Sequence, residues 1–318
     1  MNPSSPLSFL LRPATQLVLG SLLLATACTA PRAVVNSGKV TPQHEFRAGY
    51  NVGYNIATAP IAKAGAAIKD AANAYANSDS VTYSSSVTNL QAAALAYLLD
   101  PLQTTSDLSL RYGVLPRLDV GYKYAFGSHV FDAQYQLLGP TGTPENPGAG
   151  AGTGTTYASV GLQFATQRAK LPDLGFLNDI NDVLGFSARR HDVIVPLIIS
   201  HSFGPEEEIG AFTYGLAYAH SWVSYDFTPG RLYNDAGERL PALPTQRRNF
   251  SSFGAFANLK LGYRYVYFVP ALSVFYQNYG DYALLNGAST SLSGITFVPS
   301  IGVQVRIPTK WNGLFGGR

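Results

Sequence analysis

The chain is short of charge. Asp, Glu, Lys and Arg make up 13% of its 318 residues, about half the usual quarter of a soluble domain. The formal net charge of +3 is small and scattered, which excludes the basic footprint of a nucleic-acid binder. There is one cysteine, Cys28, so no disulfide forms within the chain. No run reaches the ~18 consecutive apolar residues of a membrane-spanning helix. No metal-ligand spacing, phosphate loop or cofactor motif stands out. The glycines of "GYNVGY" (49–54) follow strand parity and do not make a nucleotide loop.

What is abundant is Gly (31 residues), Tyr (20) and Phe (17), laid out with period two. In "EFRAGYNVGYNIA" (45–57), Phe46, Ala48, Tyr50, Val52, Tyr54 and Ile56 alternate with Glu45, Arg47, Gly49, Asn51, Gly53 and Asn55. Successive strand side chains point to opposite faces, so one face is apolar and the other polar or glycine. The split recurs at 107–114, 118–126, 131–137, 158–164, 192–200, 211–222, 256–265, 266–279 and 295–307. In "FANLKLGYRY" (256–265), Leu259, Leu261, Tyr263 and Tyr265 oppose Asn258, Lys260 and Arg264. These ten strands mostly exceed the ~5–6 residues of a globular strand, and several reach the ~9–11 needed to cross a bilayer. A soluble sandwich alternates too, but with a richly charged outer face. Here the polar face is Gly, Ser, Asn and Gln, and aromatics crowd the ends of the apolar face.

On these features the chain resembles the Gram-negative outer-membrane β-barrels across residues 45–308, including the tight meander "LRYGVLPRLDVGYKYAFGSHVFDAQYQLL" (110–138). The resemblance implies an all-β fold: a transmembrane, antiparallel, up-and-down barrel of about ten strands, apolar to lipid and polar to the lumen. Closure suits the bilayer, since an open sheet edge cannot sit in hydrocarbon. "LVLGSLLLATA" (17–27), after Arg12, reads as the apolar part of a signal peptide spanning 1–27. "LLATAC" (23–28) resembles a lipobox with Cys28 as the acylated residue, although Ala25 stands where Leu is usual. Thr29, rather than Asp, implies the outer membrane. Residues 28–44 read as a linker and 309–318 as a tail.

Between the first two strands, residues 58–104 break the pattern. "PIAKAGAAIKDAANAYA" (60–76) and "VTNLQAAALAYLL" (87–99) read as two helices, rich in Ala. They are a small helical insertion, either a plug or lid over the lumen or a hairpin on the rim. Termini on the periplasmic side make "VLPR", "GPEEE" (204–208) and "YVYF" (265–268) periplasmic turns. The longer loops near 168–190, 228–248 and 281–290 then fall outside the cell. The Gly/Pro-rich loop 139–154 is periplasmic and reads as mobile.

Parity places Glu45, Arg47, Asn51, Asn55, Arg111, Asp119, Lys123, Gln134, Gln136, Gln163, Asn258, Lys260, Arg264, Gln277, Gln304 and Arg306 in the lumen. Six inward cations, Arg47, Arg111, Lys123, Lys260, Arg264 and Arg306, face five acids, Glu45, Asp107, Asp119, Asp132 and Asp192. That balance favours internal ion pairs over a selective pore. A turn at Leu115 sets Arg111 near Asp119, and barrel closure brings Glu45 to Arg306. His44, His129, His191, His201 and His220 fall on the lipid-facing register, which speaks against the rim chemistry of omptin-like proteases or lipid A deacylases. No catalytic, metal or cofactor residue is expected. The partners expected are outer-membrane lipid, a small polar solute, and an extracellular or periplasmic protein. The function expected is a narrow channel or transporter for small polar solutes, and the alternative is a structural or adhesive barrel with a closed lumen.

Overall fold

The structure, a computed structural model, describes residues 33–58, 81–82, 85–100, 103–125, 127–169, 184–230 and 232–309. The signal segment, Cys28 and the first helix of the insertion lie outside the described residues. The strands are β1 (Phe46–Ala57), β2 (Val81–Thr82), β3 (Gln103–Leu115), β4 (Leu118–Ala125), β5 (Ser128–Leu138), β6 (Thr156–Ala169), β7 (Phe186–Ser202), β8 (Gly210–Phe227), β9 (Leu232–Tyr233), β10 (Leu243–Tyr263), β11 (Val266–Ala283) and β12 (Ser289–Ile307). Among the described residues one α-helix, α1 (Ser85–Leu99), follows β2. All but β2 and β9 close into one ten-stranded barrel, each strand antiparallel to its chain neighbours, with β1 sealing against β12. The short β2 and β9 pair with each other outside it.

Every barrel strand turns large apolar side chains outward to the surface. They include Tyr50, Leu108, Tyr122, Phe131, Leu162, Leu197, Leu216, Phe253, Leu272 and Ile301. Soluble proteins rarely expose a contiguous apolar patch above a few hundred Å². A belt that runs round the whole barrel fits a lipid surround, where a closed sheet leaves no unpaired edge. No described helix is long and apolar enough to cross a membrane.

The strands run farther than the apolar-out pattern suggests, because the alternation changes phase. Along β7, polar Asp192 and Ser200 point inward while Val195 and Leu197 point out. Past Arg190 the inward residues become Ala188 and Phe186, and Arg189 and Ser187 turn outward. β8 does the same beyond Ser221, with Val223, Tyr225 and Phe227 buried, and Phe250 begins the change in β10. So residues 186–190 and 243–248, expected in loops, are strand. The outer end of the barrel is built like a soluble one, apolar within and polar without.

That outer interior holds α1. Val87, Leu90, Ala94, Leu95, Ala96 and Leu99 pack with Phe186, Val223, Tyr225, Phe250, Tyr279 and Leu292 from the wall. Burial on nearly all sides explains why the helix has no polar face. It enters the outer mouth rather than lying on the rim.

Candidate functional site: the occupied lumen

The segment before β1 is not a free linker. From residue 33 to residue 43 it runs inside the barrel to the rim where the chain reverses into β1. His44 takes a positive φ of 66° at the reversal. Two glycines let it pass. A Cβ on Gly113 would lie 2.0 Å from the Pro42 carbonyl oxygen. One on Gly38 would lie 2.6 Å from that of Tyr157.

A buried segment without regular structure must find partners for its amides and carbonyls, and the inward polar residues supply them. The amides of Val34, Gly38, Val40 and Thr41 donate to Ser273 Oγ (3.4 Å), Ser200 Oγ (3.1 Å), Gln136 Oε1 (3.2 Å) and Asp119 Oδ2 (2.7 Å). The carbonyls of Ala33, Asn36, Ser37 and Lys39 accept from Lys123 Nζ (3.2 Å), Asn258 Nδ2 (3.3 Å), Gln134 Nε2 (2.7 Å) and Arg47 Nη1 (3.3 Å). Six of the residues assigned to the lumen by parity thus hold the chain's own backbone.

The turn after β7 folds up to meet the segment. Glu206 and Glu207 take positive φ values of 54° and 60° and are buried. Glu206 pairs with Lys39 and accepts the amides of Gly142 (2.9 Å) and Gly148 (2.8 Å) and the hydroxyl of Tyr157 (3.2 Å). Glu207 accepts from Ser37 Oγ (2.9 Å), Ser200 Oγ (3.0 Å) and Lys260 Nζ (2.8 Å). The loop 139–154, expected to be mobile, is therefore pinned beneath the barrel by Glu206. It is pinned a second time by Glu145, which meets Arg306 at 2.7 Å. The sequence signal was present in "PEEE", three successive acids in a turn under a lumen that carries lysines.

The remaining inward charges pair locally. Arg111 bridges Asp119 (2.5 Å) and Asp132 (2.7 Å), and Arg306 meets Glu45 at 2.6 Å. Asn51 donates to Asp107 at 2.8 Å. Gln163 is buried facing inward, and Gln304 is half-buried. Arg264 departs from its expected place. The hairpin closes at Tyr263↔Val266, so Arg264 sits in the turn with a φ of 52° and pairs with Glu208 at 2.6 Å on the rim. The turn ends the strand before parity can carry Arg264 inside.

Nor is the inward face polar throughout. Val34, Ile194, Ile198, Phe256 and Phe275 form an apolar layer midway up the lumen. Above it, Arg190 grips Asp192 (2.8 Å) and donates to the Leu99 carbonyl (2.7 Å). Asp100, at the end of α1, accepts from Asn55 Nδ2 (2.5 Å), Gln277 Nε2 (3.0 Å), Tyr279 Oη (2.8 Å) and Thr296 Oγ1. Helix and segment thus fill opposite ends of one lumen. The hollows beside Arg111 in the lower half measure about 10 and 20 Å³, room for roughly one water each. A larger hollow of about 440 Å³ opens at the same rim beside Glu45, Glu145, Tyr265 and Arg306.

The five histidines lie outside the lumen. His129 meets Tyr122 Oη at 2.8 Å, His201 meets Thr156 Oγ1 at 3.0 Å, and His220 meets Ser251 Oγ at 3.1 Å. His44 contacts Tyr112 Oη at 3.3 Å, and His191 stacks on Phe164. Hydroxyl and aromatic neighbours of this kind suit a ring near a membrane interface.

These features define a closed, antiparallel ten-stranded β-barrel with an apolar girdle and an occupied lumen. No known protein family matches the chain, and no curated protein matches it. Among solved structures it is similar to Neisserial surface protein A (8% identity, 82% of this chain and 96% of that one, TM-score 0.32). It is also similar to Ail, the attachment invasion locus protein of Yersinia pestis (10%, 84% and 100%, 0.31). A third is a major outer membrane protein from Thermus thermophilus (11%, 83% and 100%, 0.32). Likenesses this slight say nothing of what the chain does.

Proposed function

We propose that the protein is an outer-membrane β-barrel whose lumen is closed at rest by its own chain, and that it acts through its surfaces as a structural or partner-binding barrel. The observation that carries this reading is the course of residues 33–43 through the lower lumen, with their backbone satisfied by wall side chains. The signal-like start and the girdle support the location. The near balance of inward charge supports bracing rather than ion selection. Seven buried cations (Lys39, Arg47, Arg111, Lys123, Arg190, Lys260 and Arg306) face seven buried acids (Glu45, Asp100, Asp107, Asp119, Asp192, Glu206 and Glu207) among the described residues.

A gated channel for small polar solutes is the second reading. It is favoured by the polar character of the lower contacts, which water can replace when the segment leaves. Planar-bilayer recordings of the full chain test the first reading, with a variant lacking both residues 28–43 and α1 (85–99), which together fill the lumen, run beside it. Silence from both supports a closed barrel. Steps only from the truncated chain support the gated channel. Steady conductance from the intact chain sinks both the closed lumen and the resting plug.

A further inference from the structure

The outer end of the barrel carries basic residues in register on its outward face. Arg189 on β7 is paired with Ser224 on β8, and Ser224 with Arg247 on β10. Directly paired residues share a face, so the three make one row. Arg168 on β6 continues it, paired with Arg189. Both Arg189 and Arg247 are exposed, and neither has an acidic partner at ion-pair distance among the described residues. One row nearer the membrane stand His191, Trp222 and Asn249. One row farther out stand Ser187 and Asp226, hydrogen-bonded at 3.5 Å; Asp226 is the acid closest to the row on these strands.

The height of the row suits a headgroup. On β8 the outward aromatics begin at Phe212 and end at Trp222. Ten residues at ~3.3 Å, tilted ~40°, span about 25 Å, the height of a barrel's apolar band. Ser224 lies about 5 Å beyond that band by the same measure, where lipid phosphates sit. At this level the wall has a hollow of about 260 Å³ beside Trp222, Val223, Ser224, Arg247, Arg248 and Asn249; of the two arginines Arg247 shares the outward face with Trp222 and Ser224, while Arg248 pairs with the buried Val223. A planar guanidinium matches phosphate oxygens with paired hydrogen bonds, and Trp222 supplies the apolar edge that an acyl chain follows downward.

We propose that Arg189 and Arg247, with the hollow beside Trp222, seat the phosphate of an anionic lipid in the outer leaflet. The proposal rests on the membrane placement given above. It is tested by native mass spectrometry of the full chain in neutral detergent, titrated with phosphatidic acid, with diacylglycerol, and with inorganic phosphate as competitor. The expected result is phosphatidic acid bound at least tenfold more tightly than diacylglycerol, and a loss of about tenfold in the Arg189→Gln/Arg247→Gln double variant. Arg264→Gln, which removes a cation at the opposite rim, is expected to change nothing. Heat-modified gel mobility reports whether each variant is a folded barrel. Equal binding by the folded double variant, or by diacylglycerol, overturns the proposal. Displacement by equimolar inorganic phosphate overturns it too, because it makes the site one for a free anion. A chain that stays dispersed without detergent refutes the membrane placement instead, which separates the two failures.

Discussion

Lys260 on β10 and Glu207 on the turn after β7 meet at 2.8 Å, with both side chains almost wholly buried. The same carboxylate takes the hydroxyl of Ser37, from the segment inside the lumen. One ion pair therefore joins the wall, the turn that floors the lumen and the segment inside it. Burial pushes the Glu207 carboxyl up, but Lys260 beside it, helped by Arg47 and Lys39, holds it below the ordinary carboxylate range.

Removing one partner leaves the other charged and enclosed. Lys260→Leu is expected to destabilise the barrel by about 3–5 kcal/mol, the usual cost of breaking a buried pair. Urea unfolding in detergent micelles, followed by heat-modified gel mobility, reads the loss. A midpoint unchanged from wild type means that Lys260 does not face Glu207.

Gly38 tests the plug without touching a charge. Its missing Cβ leaves room for the Tyr157 carbonyl at 2.6 Å and the Ser200 amide at 3.1 Å. Gly38→Val forces the segment away from β6 and β7 at a cost of about 1–3 kcal/mol. A cysteine placed at Ser37 is then expected to react several-fold faster with a water-soluble maleimide than it does beside Gly38. An equal rate shows that the segment does not lie against the wall.

The lower barrel could be read from the residues. Alternation along β1 gave both faces, and the balance of charge gave pairs such as Arg111–Asp119 and Arg306–Glu45. Three features could not be read so directly. Above Asp192 and Ser221 the alternation persists but inverts, and an inverted phase looks like the end of a strand. Residues 33–43 have no periodicity, because their hydrogen bonds go to side chains on several distant strands rather than to a neighbouring backbone. Glu206 and Glu207 enter the lumen through backbone angles that strand parity cannot foresee. The reading of Arg264 failed for the same local reason, since a two-residue turn replaced the last step of the strand.

The floor of the barrel has its own pH response. Glu145 lies in the loop between β5 and β6, partly exposed. Burial raises its carboxyl, but hydrogen bonds from Arg306 outweigh this and hold it at about 2, against 4.5 for the free group. A depressed carboxylate contributes stability that is fully present above its unfolded value and is lost as pH falls through the folded one. The loop is therefore expected to stay docked above pH 4.5 and to loosen between about pH 4.5 and 2. Solvent screening keeps the effect small. Amide exchange at Gly142–Gly148, followed down that range, reads it. Glu145→Gln is expected to show weaker protection already at neutral pH, and a loop equally protected in both proteins refutes the role of the pair.

The outer closure depends on Asp100. Its carboxylate gathers donors from β1, β11 and β12 at the end of α1, so it ties the helix to strands on both sides of the barrel seam. A carboxylate at a helix C-terminus opposes the helix dipole, which leaves these wall contacts as the reason for its place. Asp100→Ala removes one acceptor shared by Asn55, Gln277, Tyr279 and Thr296, and each buried donor left unmatched costs about 1–3 kcal/mol. The apolar packing of Leu90, Leu95 and Leu99 remains, so the helix is expected to loosen rather than leave. Amide exchange of α1 should then quicken while that of β4 and β5, which give Asp100 no partner, holds steady. Exchange that rises equally in both places means that Asp100 supports the whole barrel and is no latch for the helix.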